Sequence, residues 1–305
     1  MADLLVVGSV ALDSVVTPFG KVDEVLGGSA TYFSYAASFF TTVRLVATVG
    51  ADFPEAHVRL LGERGVDVAG LQTAPGGRTF RWAGEYGYDL NEARTLATQL
   101  NVLATFRPDL PAALRQVPYL FLANIDPELQ LDVLRQMRAR PRLVALDTMN
   151  FWITGKRAAL LRVLREVDVI TVNDAEARQL AGEPNLVRAA RVIAELGPQV
   201  VVVKRGEYGA LMLAGDAFFV APAYPLESVF DPTGAGDTFA GGFMGYLASR
   251  EVTDRASMRR AVVHGSVMAS FTVEDFSLNR LIRLVPAEIE ARVAAFRALT
   301  AVEDP

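Results

Sequence analysis

The chain contains no cysteine, which excludes disulfides, thiolate metal sites and thiol catalysis and leaves the redox compartment open. Only two histidines occur in 305 residues, and nothing in the sequence resembles a dedicated metal cage. Positive charge is in short supply: the net charge is −5 and the sequence pI about 5.3. That balance argues against non-specific nucleic-acid binding, and Arg138, Arg140 and Arg142 read as a solvated helix end. No apolar run reaches membrane-spanning length. The opening stretch, Met1-Ala2-Asp3-Leu4-Leu5-Val6-Val7-Gly8, has an acid and no basic residue before its apolar run. It reads as a first strand rather than a secretory signal. A cytoplasmic protein with neither nucleic acid nor membrane as partner is expected. Internal repeats, low-complexity tracts and long linkers are missing too.

What is present is a hydrophobic composition of 51%, enough for one large α/β domain over residues 1–305. Short apolar runs at Leu4–Val7, Val43–Val49, Tyr119–Leu122, Leu143–Leu146, Val167–Val172 and Val200–Val203 read as buried strands. Amphipathic stretches near 29–40, 54–64, 127–139, 157–166, 174–182, 185–196, 234–249, 255–272 and 286–298 read as helices. Such alternation predicts a mostly parallel sheet with helices on both faces. Ligands of such sheets bind beyond the carboxyl ends of the strands, so residues just after each strand are the candidates. The alternation breaks between Gly70 and Asn101. There aromatic and polar residues alternate through Thr79-Phe80-Arg81-Trp82, and a polar stretch could return as a partner strand. With Leu12–Val16, these residues suggest a small sheet projecting from the body.

The most informative stretch is Phe230-Asp231-Pro232-Thr233-Gly234-Ala235-Gly236-Asp237-Thr238-Phe239. It reads as a tight turn into a buried helix beginning near Gly234. Small residues at Gly234, Ala235 and Gly236 leave three backbone N–H groups bare at a helix start, where the dipole favours an anion. A carboxylate beside an anion cradle is electrostatically awkward unless it takes a proton, so Asp237 reads as a general base. No Gly-Lys-Ser/Thr follows, as a P-loop needs, and no Gly-x-Gly-x-x-Gly follows the first strand. The Asp-Pro-Thr-Gly-Ala-Gly-Asp-Thr string resembles the second signature of the ribokinase-like (PfkB) carbohydrate kinases.

Other stretches are read beside that resemblance. Asp13 follows the first strand and has the geometry to accept from two neighbouring hydroxyls; the resemblance implies that it holds substrate hydroxyls. Gly27-Gly28-Ser29-Ala30-Thr31-Tyr32 opens a helix and is similar to the family's first signature. Tyr32 stands where an Asn is usual, and an aromatic wall of Phe19, Tyr32 and Phe33 would suit a stacked nucleobase, although core packing explains such aromatics more often. Asn173 is an N-cap candidate with Glu176 completing a capping box; the resemblance implies that this Asn-x-x-Glu also lies near ATP phosphates and positions Mg2+ through water. Lys204-Arg205-Gly206-Glu207-Tyr208-Gly209 resembles the nucleotide-phosphate turn, with Lys204 replacing a Thr and adding positive charge. His264 falls where relatives line the adenine pocket, although a packed helix histidine is the simpler reading. Asn124 and Asn150, each after a strand, could reach substrate. Asp231 and Thr233 are candidates beside a monovalent cation such as K+.

The resemblance implies a ribokinase-like fold whose β lid uses segments near 11–18 and 72–101. It also implies ATP-dependent phosphorylation of a hydroxymethyl group on a sugar or small polyol, with Asp237 as base. A nucleoside kinase of the same family, and a catalytically silent ligand-binding homologue, are the alternatives. A projecting sheet has edges that could pair two copies into a homodimer.

Overall fold

The computed structural model describes residues 2–301. In chain order it begins with β1 (Leu4–Val7), β2 (Ala11–Thr17), β3 (Gly20–Gly27), α1 (Ser29–Ala37), β4 (Val43–Gly50), α2 (Glu55–Glu63) and β5 (Val66–Ala74). Next come β6 (Phe80–Tyr86), β7 (Ala93–Gln99), β8 (Tyr119–Leu122), α3 (Pro127–Gln136), β9 (Leu143–Asp147), α4 (Asn150–Gly155) and α5 (Arg157–Leu164). The second half holds β10 (Val169–Asn173), α6 (Asp174–Ala181), α7 (Leu186–Glu195), β11 (Val200–Lys204), β12 (Ala210–Ala214) and β13 (Ala217–Ala221). Four helices close it: α8 (Ala235–Arg250), α9 (Arg255–Thr272), α10 (Asn279–Arg283) and α11 (Pro286–Thr300).

Nine strands form the main sheet in the order β13-β12-β11-β10-β9-β8-β1-β4-β5. All neighbours are parallel except the last two pairs at one edge, β11–β12 and β12–β13. Every residue of β1 is buried, because β4 and β8 pair with it on either side and each face carries an apolar layer. That is why these strands are unbroken Val/Leu runs rather than alternating ones. The α/β architecture with a mostly parallel sheet is therefore the one the alternation predicts. Strand β5, the β12–β13 hairpin and the short helices α4 and α10 are additions. None carries a long periodic pattern in the sequence.

The second sheet has four strands in the order β3-β2-β6-β7. Two boundaries differ from expectation. Residues 72–74 belong to β5 in the main sheet, and Gly20–Gly27 contribute a strand that the sequence, mixed in charge and apolar residues there, does not announce. Strands β2 and β6 pair in parallel from Ala11–Phe80 to Val16–Glu85, which brings distant chain segments together over one end of the main sheet.

Helix α8 is apolar all round and lies between α1 and α9. Its glycines allow that approach: a Cβ on Gly241 would lie 2.4 Å from the Phe33 carbonyl oxygen. No helix among the described residues is long and apolar enough to cross a membrane.

Candidate active site

Gly234 caps α8 with φ +74°, a left-handed conformation that L side chains adopt only at a cost. Beneath it lies the Tyr32 ring, which a Cβ at Gly234 would approach to 2.4 Å. Tyr32 and Phe33 are both buried in the core, Phe33 stacking on Phe121 at 4.1 Å. The proposed aromatic wall is thus reduced to Phe19, which meets Phe230 edge-on at 6.0 Å at the surface. Tyr32 serves as the floor of the turn. We predict that Gly234→Ala lowers turnover at least about tenfold and costs 1–2 kcal/mol or more of stability, the order of a left-handed non-glycine residue. Thermal melting and steady-state kinetics on the purified variant would check both.

Of the three amides expected to be bare, that of Ala235 donates to the Pro232 carbonyl at 3.1 Å and is spent on the turn itself. Gly234 and Gly236 take no main-chain acceptor among the described residues. The donors that remain at the start of the 16-residue helix are still enough for an anion, since the dipole adds to them. Lys204, the last residue of β11, supports the same spot: a Cβ on Gly236 would lie 3.0 Å from its Nζ.

Lys204 donates to the Asp147 carboxylate at 2.6 Å, and Thr171 donates to the same oxygen at 2.8 Å. Both charged side chains are largely shielded from solvent. Burial works against the ammonium, but Asp147 and Glu176 outweigh it and hold the Lys204 pKa above its ordinary value. So the lysine that replaces the expected Thr is already neutralised by Asp147. Sequence reading gave Asp147 no role, although its position at the carboxyl end of β9 was the available signal.

Burial pushes the Asp237 carboxyl up to about 7; Asp147 adds to the rise and Lys204 opposes it. Asp13 is likewise pushed up to about 7, first by burial, against the nearby Gly28 amide, with the charges of Asp237 and Asp231 adding. Asp13 therefore lies close enough to Asp237 and Asp231 to feel both charges, while Asp237 itself is half-buried at the start of α8. Gly27 makes room for Asp13, since a Cβ there would fall 1.9 Å from its Oδ2. From the small sheet, Tyr86 reaches over this site, its hydroxyl 3.4 Å from Thr233 Oγ1. Nothing in the sequence singled out Tyr86.

Asp231 is buried and accepts from the Thr233 amide at 2.9 Å, so its carboxylate braces the turn from below. Asn173 and Glu176 form the expected capping box, with reciprocal bonds of 2.8 and 2.7 Å. Burial raises the Glu176 carboxyl to about 7, with Asp147 adding and Lys204 opposing. Gly206 and Gly209 both have positive φ in the turn after β11. The tip of the β6–β7 hairpin rests on this turn, Asn91 Nδ2 donating to Glu207 at 2.9 Å. Asn124, after β8, accepts from the Trp152 indole at 3.0 Å, while its carbonyl lies 3.4 Å from the Ser29 hydroxyl at the start of α1.

Asn150 lies at the start of α4, its side chain accepting from the Phe151 amide at 2.8 Å. His264 stays apart. Its ring stacks on Tyr246 at 4.1 Å, nine residues along α8 from Asp237, which is about 13 Å at 1.5 Å per residue. Its packing against Tyr246 and edge-on against Phe40 fits the simpler of the two readings. It is a packed helix histidine.

Comparison with known proteins places this geometry. The family model described as pfkB family carbohydrate kinase matches residues 1–282. A cytidine kinase of Thermococcus kodakarensis is 31% identical over 86% of this chain and 95% of its own length. A nucleoside kinase of Methanothermobacter thermautotrophicus is 26% identical over 90% of each chain. Among solved structures, aminoimidazole riboside kinase from Salmonella enterica, complexed with aminoimidazole riboside and an ATP analog, aligns with TM-score 0.75. It is 18% identical, and the alignment covers 95% of this chain and 99% of that one. On this evidence the chain belongs to the pfkB family of carbohydrate kinases.

Proposed function

We propose that the chain transfers the γ-phosphoryl group of ATP to the hydroxymethyl oxygen of a nucleoside. The single observation that carries the chemistry is the convergence of Asp237, Asp13 and Lys204 at the start of α8. Likeness to the cytidine kinase over nearly the whole chain favours a nucleoside over a free sugar. Phe19 and Phe230, exposed beside the turn, offer a base an aromatic edge.

In this reading Asp13 orients the sugar hydroxyls, with Gly27 and Gly28 allowing its close approach. Asp237 takes the proton of the hydroxymethyl group as its oxygen bonds to phosphorus and the bond to the ADP oxygen breaks. The amides of Gly234 and Gly236 and the Lys204 ammonium stabilise charge on the transferring group. Such transfer relies on positioning and electrostatics, which these groups supply. The turn of Gly206 and Gly209 lies against the donor phosphates, and Tyr86 excludes water from above. No group of three acidic or histidine side chains among the described residues could cage a metal. Mg2+ would arrive with the nucleotide and neutralise its phosphates, with the half-buried Glu176 beside Lys204 and Asp147 holding it through water. Main-chain oxygens near Asp231 and Thr233 are where K+ would bind. Edges β3 and β7 of the small sheet are where two copies would pair.

A panel of cytidine, inosine, adenosine, ribose, fructose and 2-keto-3-deoxygluconate, read as acceptor-dependent ADP formation, tests the acceptor class. A nucleoside should give the highest kcat/KM; a free sugar leading the panel would overturn that part of the reading.

Trp152 has a positioning role in this scheme. Its indole can only donate, so the Asn124 oxygen must face it and the amide NH2 is left to face a ligand acceptor. Trp152→Phe should raise the acceptor KM about fivefold, as expected for one lost hydrogen bond of ~1 kcal/mol, with kcat nearly unchanged. Equal KM values for the two proteins would remove that role.

A further inference from the structure

A separate cavity of about 360 Å³ lies at the far end of α8, between its last turn, the middle of α9 and one face of α11. Arg250, in its wall, is thirteen residues beyond Asp237, which is about 20 Å along the helix. The phosphoryl-transfer scheme uses none of its residues. The volume is within the range of small-molecule sites.

Its lining combines flat rings with cations. Tyr246 and His264 stack at 4.1 Å with 23° between planes, and Phe40 meets His264 edge-on at 5.8 Å. His264 Nδ1 lies 2.7 Å from the Arg260 carbonyl. A carbonyl only accepts, so Nδ1 carries the proton and, in the neutral ring, Nε2 is an acceptor. Burial first, against the Arg260 carbonyl, and then the nearby charges of Arg297 and Arg250 push the His264 pKa down. Arg250 lies 5.7 Å from the Tyr246 ring centre. Neither Arg250 nor Arg297 forms a salt bridge among the described residues, and Glu290 is the one acid in the lining. A guanidinium beside the Tyr246 face and a second in the same lining, with no carboxylate among the described residues holding either, suit an anion attached to a ring.

We propose that this cavity is a binding site for a planar aromatic anion of nucleotide size. The ring lies against Tyr246 and His264, and the phosphate or carboxylate meets Arg250 and Arg297. The site is independent of which alcohol is phosphorylated at Asp237.

The test uses the full chain and cytidine 5′-monophosphate as probe. His264 is one of two histidines, so its ring resonance can be followed by NMR with His57 as internal reference. The His264 signal should move saturably while His57 stays still. In the Arg250→Ala/Arg297→Ala double variant the affinity read from that signal should weaken at least tenfold, with kcat/KM for phosphoryl transfer unchanged. Should the double variant fail to fold, Arg297→Gln alone, an exposed change, is read the same way. A stationary His264 signal, or equal affinity in wild type and variant, would overturn the proposal. So would an equal response to cytidine, which lacks the anion, or to inorganic phosphate, which lacks the ring.

Discussion

Asp237→Asn will lower kcat by about 10²–10⁴-fold, the usual contribution of a positioned general base, and leave acceptor and nucleotide binding largely intact. The same change will stabilise the protein at alkaline pH. In the native chain burial holds this carboxyl at about 7 against an ordinary value of 3.8. Between those values the folded state keeps a proton that the unfolded state has lost. Stability from this group is therefore full below about pH 4 and is lost as pH rises through 7. Asparagine mimics the protonated form at every pH. The displacement corresponds to an upper bound of roughly 4 kcal/mol above pH 8, so the variant should melt higher there and nearly equally at pH 4. Wild-type kcat/KM, which needs the ionised base, should fall as pH drops through about 7. Melting curves at the two pH values, with turnover across the range, check all three. A variant that loses activity without gaining alkaline stability would show that Asp237 is not held in the desolvated setting described.

Lys204→Met should destabilise the fold by about 3–5 kcal/mol, the cost of removing one partner from a buried ion pair. The cause is Asp147, left with the Thr171 hydroxyl and no ammonium. Adding Asp147→Asn should restore most of that stability, since the uncompensated charge is then gone. Turnover should not return with it, because the positive charge beside Gly236 remains missing. Denaturant melts of the two single variants and the double, with kcat for each, separate the structural part of Lys204 from the catalytic one. Recovery of turnover in the double variant would show that Lys204 matters only for folding.

Much of this was legible in the chain, for stated reasons. The central strands are unbroken apolar runs because they are covered on both faces, and their limits fall within a residue or two of expectation. The turn at Asp231–Asp237 is visible because few sequences combine small residues with an acid at a helix start. Less legible was anything set by tertiary approach. Strand β3 reads Gly-Lys-Val-Asp-Glu-Val-Leu-Gly and has most of its residues exposed or half-buried, so no periodicity marks it. The roles of Tyr86, Trp152 and Asn91 depend on which distant segments they meet. The His264 expectation came from order along the chain, whereas its position along α9 decides its neighbours. The positive charge that Lys204 adds beside the phosphate turn gives no sign in the sequence of its partner, Asp147, which lies 57 residues away.

The most direct measurement is a crystal structure with cytidine and a non-hydrolysable ATP analogue bound together. The account predicts the γ-phosphate on the amides of Gly234 and Gly236, near Lys204, with the nucleoside hydroxymethyl oxygen within hydrogen-bond distance of Asp237 and the ribose hydroxyls on Asp13. A terminal phosphate seated away from residues 234–237, or a hydroxymethyl group out of reach of Asp237, would contradict it.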